Sequence, residues 1–490
     1  MVRIDLSVDK FAEEPLYRQL IRLIRERIVN GVWHPGERLP ASRDLADVLG
    51  ISRISVVNAY AELREMGLIS GQAGKGTFVT GNAGGLSDPG ALPSVAANPM
   101  AHVLQRHPPN VIAFSGGAPA EEFMPVALIR QAFNAVLERD GAAAVAYEET
   151  EGYYPLREAV ADYLRTTGVV CKPDEVLITN GCQQALDMAM QALMSEGDIL
   201  ITTNPTYLGI LDLARVRRVQ TIGIPLDDDG IRLDLLEQAL SNQRARLIYI
   251  APTFHNPTGT IMPIHRRRRL LSLAREYDIP ILEDGVYHEL SYGPTPPPPL
   301  RALDDSGLVL HASGFSKIVL PGTRIGYLIG QGQAWERILR VKRAADICTP
   351  GLNQRAMHYF IKTGALINHL ERVRRLCRER RDVMLHALKK YMPDGTRWTV
   401  PQGGMYTWVE LPHNGPTAAE LYNNAIPFGV TFAMGTMFHT DSSGGYFMRM
   451  NFAAQAPDKI DEGIRRLRMA WHALSTNATP LAPVTGAPIM

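Results

Sequence analysis

Hydrophobic positions near the start of the chain recur at the spacing of an α-helix. Leu16, Leu20 and Ile24 lie on one face of a predicted first helix. Two further helices are indicated, one with Ser42 as its N-cap and one that begins at Ser52. Two short β-rich runs joined by a glycine-rich turn follow, and they are typical of a hairpin.

Three helices and a hairpin predict a winged helix-turn-helix over residues 1–80, an α+β unit whose third helix enters the major groove of DNA. A small helical domain that binds another protein is the alternative, because helical periodicity alone does not identify a DNA-binding fold.

The rest of the chain alternates between β-rich runs and helical patterns. Val176–Thr179, Ile199–Thr202 and Leu247–Ile250 are examples of the predicted strands. This alternation predicts an α/β unit over residues 111–474, with a large, mostly parallel sheet covered by helices and a smaller α+β domain. The run Arg266–Arg269 follows a proline on a helical pattern, so we expect a solvated helix face there.

Two segments differ in composition from their surroundings. Residues 81–110 are rich in Gly, Pro, Ala and Ser, which predicts a flexible linker with one short helical segment. Residues 475–490 have a similar composition and predict a disordered tail.

Composition narrows the class of protein. With 490 residues, of which 46% are hydrophobic and 21% charged, the chain can bury large cores. A formal net charge of +1 argues against a uniformly basic protein, so DNA contacts must come from a local patch. The four cysteines and thirteen histidines lack ligand spacing, and no segment has the length of a membrane span. We therefore expect a cytoplasmic protein with free thiols and no metal site.

Basic and polar residues of the N-terminal unit supply the candidate DNA contacts. Arg53 lies in the first turn of the third helix, where a side chain reaches base edges. Residues that flank the second helix and the tip of the hairpin are placed to contact the phosphate backbone. The complete candidate set is Arg38, Ser42, Arg43, Arg53, Ser55, Lys75 and Gly76.

Four polar motifs follow predicted strands of the large unit. Ligands of open α/β sheets bind beyond the carboxyl ends of the strands, so these motifs are expected to share one crevice. Each taken singly also has an ordinary explanation as a helix cap, a turn or a solvated lysine. The motifs are Asn180–Gln184, His255–Gly259, Glu283–Tyr287 and His311–Lys317.

Two known families are similar to the two units. GERLPASRDLA and GKGTFV in the N-terminal unit resemble the GntR-type winged helix, although Ile54 stands where that family often has a small or polar residue. The four motifs, with Asn204–Gly209 and Phe447–Phe452, resemble fold-type I enzymes of the class I/II aminotransferase family over roughly residues 110–470. The fusion of both resembles the MocR subgroup of bacterial transcription regulators.

The aminotransferase resemblance implies pyridoxal 5′-phosphate as the cofactor. It assigns Lys317 as the lysine that attaches to the cofactor aldehyde and moves protons. Asp284 would keep the pyridine nitrogen protonated, and Tyr207 would stack on the ring. Asn256 and Tyr287 would bond to the ring's 3′ oxygen.

The same resemblance implies the phosphate and substrate contacts. Arg449, with Asn256, would bind the α-carboxylate of a substrate. Tyr147 would reach the phosphate of a neighbouring subunit, which implies a homodimer. The remaining implied phosphate contacts are Gly181, Cys182, Gln183, Ser313, Ser316 and Arg324.

Two positions depart from the aminotransferase pattern. Cys182 stands where the family usually has serine, and a thiol is a weaker hydrogen-bond donor than a hydroxyl. Gly314 stands three residues before the lysine, where a hydroxyl is usual, and Ser313 is one residue earlier. We therefore expect looser phosphate binding, or support from Ser316.

The combined resemblance implies a transcription regulator that binds operator DNA and senses an amino-acid-like effector, or the cofactor itself, in its aminotransferase-like unit. The alternative is an active aminotransferase of an α-amino acid that carries an accessory DNA-binding domain, since the main catalytic residues are present. A cofactor-binding scaffold with neither activity is less well supported, because both sets of residues are complete.

Overall fold

The chain folds into two compact units, Met1–Pro93 and Ser94–Met490. The computed structural model describes residues 6, 8, 15–29, 32–34, 36–65, 68–72, 76–80, 99–105, 107–441 and 443–475. In these ranges, no helix has both the length and the apolar character needed to cross a membrane.

In its described residues, the N-terminal unit packs three helices against a small antiparallel sheet in which the third strand lies between the other two. Leu20, Ile24 and Leu63 are fully buried where the first and third helices meet. The winged helix-turn-helix prediction is confirmed. The elements are α1 (Leu16–Val29), β1 (Arg38–Leu39), α2 (Ser42–Leu49), α3 (Arg53–Glu65), β2 (Ile69–Gln72) and β3 (Gly76–Val79).

Local chemistry sets the ends of α2 and α3. Gly50 ends α2 in a left-handed conformation with a φ of 60°. Ser52 Oγ accepts a hydrogen bond from the backbone N–H of Ser55 and so caps α3. The predicted N-cap of α2 is wrong by one residue, because the backbone stays extended through Ala41 and Ser42 is already helical.

The large unit is built on a sheet of eight strands, all of which lie in described residues, in the order β5-β12-β11-β10-β9-β6-β7-β8. Only β12 and β8 run antiparallel to their neighbours, so the prediction of a mostly parallel sheet is confirmed. The strands are β5 (Val176–Thr179), β6 (Ile199–Asn204), β7 (Gln220–Asp227), β8 (Gly230–Ile231), β9 (Ala245–Ile250), β10 (Ile281–Asp284), β11 (Val309–Gly314) and β12 (Gly326–Ile329).

Helices cover both faces of this sheet because its strands are apolar on both sides. Leu247 and Ile248 are adjacent in β9, yet each is fully buried in a different apolar cluster. The helices of this unit are α4 (Pro99–Leu104), α5 (Val126–Asp140), α6 (Tyr154–Arg165), α7 (Cys182–Leu193), α8 (Leu208–Val216), α9 (Leu233–Asn242), α10 (Ile264–Glu276), α11 (Leu300–Leu303), α12 (Gly332–Asp346), α13 (Gly351–Lys362), α14 (Ala365–Tyr391), α15 (Ala418–Ala425) and α16 (Pro457–Ser475).

Two smaller sheets complete the unit. An antiparallel sheet has the order β13-β14-β17-β16, and β4 pairs in parallel with β15. These strands are β4 (Ile112–Ala113), β13 (Arg397–Trp398), β14 (Tyr406–Glu410), β15 (Val430–Thr431), β16 (Ala433–Met434) and β17 (Phe447–Asn451).

Helix α4 lies within the segment predicted as a linker. Val103 is buried in an apolar cluster with Leu208, Trp408 and Phe438, so this helix is anchored to the large unit. Residues 81–98 and 476–490 lie outside the described residues.

The arginine run of α10 is not a uniformly solvated face, which corrects the prediction for one of its members. Arg267 is completely buried and donates to the carbonyls of Pro252, Met262 and Pro298. A guanidinium has five donors, and here they satisfy backbone acceptors that water cannot reach.

Candidate cofactor site and DNA-binding face

The polar motifs of the large unit lie at the carboxyl ends of its parallel strands. β5 runs into Asn180–Gln184, β10 ends at Asp284, and β11 leads to Lys317. Residues separated by more than a hundred positions in the sequence thereby come to the same edge of the sheet. Direct contacts join the motifs, since Cys182 Sγ lies 3.8 Å from Asp284 Oδ1 and His311 Nδ1 lies 2.8 Å from Glu283 Oε2.

The turn before α7 forms a cradle for an anion. Gly181 has a φ of 82°, and a Cβ there would come within 2.5 Å of the Arg324 guanidinium, so glycine is required. The same guanidinium donates to Asn180 O at 3.1 Å and to Ser316 Oγ at 3.3 Å. A helix N-terminus beside an arginine and a hydroxyl fits a phosphate dianion.

The two departures from the aminotransferase pattern have structural explanations. Burial raises the pKa of the Cys182 thiol, which therefore stays protonated and donates to Asp284. At Gly314 a Cβ would lie only 2.9 Å from Gly326 Cα on the neighbouring strand. Ser313 interacts with the hydroxyl of Tyr327.

Two donors besides the Cys182 thiol hold the buried carboxylate of Asp284. Tyr249 Oη donates to its Oδ2 at 2.8 Å, and the backbone N–H of Val286 donates to its Oδ1 at 3.1 Å. Burial raises the pKa of Asp284, while both hydrogen bonds act in the opposite direction. A protonated pyridine nitrogen is a suitable partner for such a carboxylate, because an opposite charge stabilises its ionised form.

Lys317 is half-buried, and its Nζ donates to the carbonyl of Gly117 at 2.7 Å. Near it, Tyr287 Oη donates to Tyr406 Oη at 2.9 Å. Burial opposes ionisation of Tyr406, but the cations of Arg449 and Lys317 and the bond from Tyr287 outweigh it, so its pKa lies below the usual value. The Lys317 amine is thus placed in a polar pocket where it can meet an aldehyde.

Arg449 is a buried cation with an unused donor. Its guanidinium donates to Asn256 Oδ1 at 3.1 Å and to Ser115 O at 2.8 Å, and its Cζ lies 4.1 Å from the ring centroid of Tyr406. Its Nε is buried and has no hydrogen-bond partner among the described residues. A planar guanidinium with a spare donor is suited to a carboxylate ligand.

His255 supports Asn256 from the neighbouring position. Its ring nitrogens bond to Thr203 Oγ1 at 2.9 Å and to Thr258 Oγ1 at 2.8 Å. Burial lowers the pKa of His255 to about 3, so the ring is neutral at physiological pH. It therefore acts as a structural brace.

The other predicted residues occupy the rim of the site or lie outside it. Tyr207 Oη donates to Gln183 Oε1 at 3.0 Å, and Gln183 Nε2 donates to Gly209 O, so these side chains bond to each other across the start of α8. Tyr147 is 86% exposed.

Sequence reasoning missed Tyr249, Tyr406 and the Gly117 carbonyl. Tyr249 lies inside a predicted strand, and Tyr406 begins β14 directly after Met405, so neither stands in a recognisable catalytic motif. Their roles depend on contacts made across the fold.

The recognition helix α3 exposes a basic and two apolar side chains to solvent near its N-terminus. Arg53 is exposed at its first position, followed by Ile54, which is 72% exposed, and Val57, which is 44% exposed. Ile54 therefore does not pack into the core and is available for apolar contact with a thymine methyl group. The Ser55 hydroxyl bonds to Ser52 Oγ at 2.8 Å.

A cleft of about 270 Å³ opens beside this helix, between α2, α3 and the hairpin. Its lining includes Arg38, Ser42, Gly76 and a residue that sequence reasoning missed, Arg64 in the last turn of α3. Two guanidinium groups and a hydroxyl suit a DNA phosphate. Arg43 is exposed near the cleft, whereas Lys75 lies outside the described residues.

Comparisons with known families assign a different family to each of the two units. Residues 109–467 match the family model for aminotransferase class I and II. Residues 16–79 match the model for bacterial regulatory proteins of the gntR family.

Relatives of both kinds are found. The chain is 37% identical over 364 residues to aromatic-amino-acid aminotransferase 1 of Thermococcus litoralis, an alignment that covers 73% of this chain and 87% of that protein. It is 30% identical to the probable rhizopine catabolism regulatory protein MocR of Rhizobium meliloti, and that alignment covers 99% of each chain.

A solved structure supports the cofactor assignment. The crystal structure of LysN, the α-aminoadipate aminotransferase of Thermus thermophilus, complexed with N-(5′-phosphopyridoxyl)-L-leucine, is similar with a TM-score of 0.73 at 34% identity, and the match covers 78% of this chain and 97% of that one. The large unit thus has the fold-type I aminotransferase fold, and the residues present fit pyridoxal 5′-phosphate, the cofactor of that family. The chain belongs to the MocR-type bacterial regulators, in which a gntR-family winged helix-turn-helix is fused to a unit of the aminotransferase class I and II family.

Proposed function

We propose that this protein binds operator DNA through its N-terminal unit and senses an amino-acid-like ligand at the cofactor site of its large unit. One observation carries the proposal: a single chain holds a recognition helix with exposed Arg53 and Ile54 and, separately, a complete cofactor site. An enzyme that acts only on small molecules has no use for a recognition helix.

The chain's own residues can select an α-amino acid. Arg449 binds the carboxylate, because its guanidinium is buried and its Nε has no partner among the described residues. Asn256 fixes the orientation of that guanidinium through its Oδ1. Lys317 holds or moves a proton at the ligand's nitrogen and Cα. When bound, pyridoxal 5′-phosphate supplies an aldehyde that captures an amine and a ring that withdraws electrons.

A main-chain segment leads from this site towards the predicted linker. Ser115 O accepts from Arg449 and Gly117 O accepts from Lys317, and Ser115 Oγ lies 3.4 Å from His107 Nε2. A ligand that takes the Lys317 amine competes with the Gly117 carbonyl, and a carboxylate that engages Nη2 of Arg449 as well as its free Nε competes with the Ser115 carbonyl. The segment follows β4, the first strand after α4, so the chain that carries it leads back to the DNA-binding unit and is the proposed covalent route between the two.

The ligand changes the DNA-binding state only if it binds two conformations with different affinity. A carbonyl released from Arg449 or Lys317 must find another donor, because a buried carbonyl without a partner is costly. The proposal therefore requires a second hydrogen-bonding arrangement of this segment when the ligand is bound.

The proposed assembly is a homodimer with shared sites. Tyr147 and Val145 are 86% and 68% exposed and lie on the segment that joins α5 to α6. The tyrosine hydroxyl would then reach the phosphate cradle of the partner. Two winged helices related by a two-fold axis suit DNA with paired half-sites.

An active aminotransferase remains the second candidate, because Lys317, Asp284 and Arg449 are all in place. Purified protein mixed with a panel of amino acids and a keto acid separates the two functions. For a sensor we expect a shift of the visible cofactor absorbance without accumulation of new keto acid. Sustained product formation over many turnovers would instead assign an enzyme.

We predict that Lys317→Ala abolishes the visible absorbance band of the covalently attached cofactor, because the substitution removes the amine to which the aldehyde attaches. Spectra of the variant and the parent, both incubated with pyridoxal 5′-phosphate and desalted, measure the effect. Lys172→Ala is the matched control, since Lys172 is exposed and has no place in the site. A band that persists in Lys317→Ala would identify another lysine as the anchor.

We predict that Arg449→Met retains this band but loses the spectral response to amino acids, because it removes only the carboxylate contact. Titration of parent and variant with the same amino-acid panel provides the measurement. An unchanged response in the variant would contradict the role of Arg449.

We predict different effects for two arginines of the recognition helix. Arg53→Ala relaxes the sequence preference and costs about 1–3 kcal/mol at the preferred site, whereas Arg64→Ala weakens binding uniformly and lowers the salt slope by about one. Affinities at several salt concentrations, for a duplex selected by the parent and for a scrambled duplex, measure both effects. Arg268→Ala, an exposed arginine of α10, is the control. Equal behaviour of Arg53→Ala and the parent would exclude base contact by Arg53.

A further inference from the structure

A buried polar network lies behind the phosphate cradle, and neither DNA binding nor the reactions of the cofactor explain it. Its members come from the turn before α7, from α7 itself, from α12 and from the segment after α12. We call it the Asp346 network, and it consists of Asn180, Gln184, Lys342, Asp346 and Thr349.

One carboxylate oxygen is the centre of this network. Asp346 Oδ2 accepts from Asn180 Nδ2 at 2.6 Å, from Gln184 Nε2 at 2.9 Å and from Lys342 Nζ at 2.8 Å. Lys342 is completely buried and the Asp346 side chain is 19% exposed, so these bonds are partly shielded from water.

The network and Arg324 together hold the backbone and the side-chain amide of Asn180. Its backbone N–H donates to Gln184 Oε1 at 2.7 Å, its carbonyl accepts from Arg324 at 3.1 Å, and its side-chain amide donates to Asp346. Asn180 directly precedes Gly181, so its orientation sets the direction of the backbone N–H groups that follow. Those N–H groups are the donors of the cradle.

Lys342 connects the network to the sheet. Its Nζ also donates to Thr349 Oγ1 at 2.9 Å, and Thr349 Oγ1 donates to Ile178 O of β5 at 3.3 Å. A buried ammonium is tolerated only when its donors are satisfied, and here Asp346 supplies the opposite charge. The network thereby holds α12, β5 and the start of α7 in one arrangement.

We propose that Asp346 is a positioning residue that holds the turn Asn180–Gln183 in its phosphate-binding geometry. It acts through Asn180 and Gln184, and its hydrogen bonds go to these residues and to Lys342 rather than to Asp284 or Lys317, which would hold the ring and the aldehyde. It therefore sets the affinity for the phosphate group and not the affinity for the ring. The proposal rests on the cofactor site alone and holds whether the large unit senses or catalyses.

The test compares two ligands that differ only in the phosphate. Pyridoxal 5′-phosphate and pyridoxal are titrated into full-length cofactor-free protein, and the visible absorbance of the lysine-bound form gives each dissociation constant. For Asp346→Ala we expect the constant for pyridoxal 5′-phosphate to rise about tenfold, the loss typical of a charge-assisted contact. The constant for pyridoxal should change less than twofold.

Asp346→Ala removes the contact to Asn180, but it also leaves the Lys342 ammonium without its carboxylate partner. Two further variants distinguish these effects from each other and from misfolding. Asn180→Ala leaves the Lys342–Asp346 pair intact and should show the same selective loss. The double variant Lys342→Met/Asp346→Leu removes both charges, yet it still lacks the anchor for Asn180, so we expect the loss to persist. Recovery of parental affinity in the double variant would overturn the proposal.

Asp187→Ala is the matched control on the same helix. Asp187 pairs with Arg217 one turn beyond the cradle and makes no contact with Asn180. We expect parental constants for both ligands in this variant. Parental affinity for pyridoxal 5′-phosphate in Asn180→Ala, or an equal loss of both ligands, would contradict the proposal. A parent protein that binds neither ligand would contradict the cofactor site itself.

Discussion

The carboxyl edge of the large sheet buries charged side chains, and the whole site depends on how each of them is partnered. Where a buried charge has all its hydrogen bonds satisfied within the chain, as for Lys342 with Asp346 and Thr349, it holds elements together. Arg449 differs, because its buried Nε has no hydrogen-bond partner among the described residues and the residue stands among the proposed cofactor contacts. This difference separates Arg267, which donates to several carbonyls, from Arg449, for which we propose a carboxylate ligand.

The sequence identified the parts of the site that stand in motifs at strand ends. Lys317, Asp284 and Asn256 follow recognisable runs of β-rich residues, and parallel strands place such positions at one edge. Tyr406 and Asp346 were missed because their roles arise from tertiary contacts with residues more than a hundred positions away. No local pattern carries that information.

In the N-terminal unit, too, features with a local sequence pattern were predicted and those that depend on tertiary contacts were missed. Its helices, its hairpin and the exposed Arg53 follow from periodicity and from turn residues. Arg64 was missed because it belongs to the cleft only once β1 lies beside α3, and a two-residue strand such as Arg38–Leu39 has no sequence signal of its own. The N-cap of α2 was predicted at Ser42, one residue too late, because the backbone stays extended only through Ala41.

The central claim is that the ligand site of the large unit controls DNA binding. The most direct measurement is the affinity of the full-length, cofactor-loaded protein for its selected duplex, at one fixed salt concentration, with and without an amino acid that shifts the cofactor spectrum. The account predicts that the affinity changes at least fivefold, on the order of the coupling found in regulated proteins. An affinity that is the same with every such amino acid would contradict it.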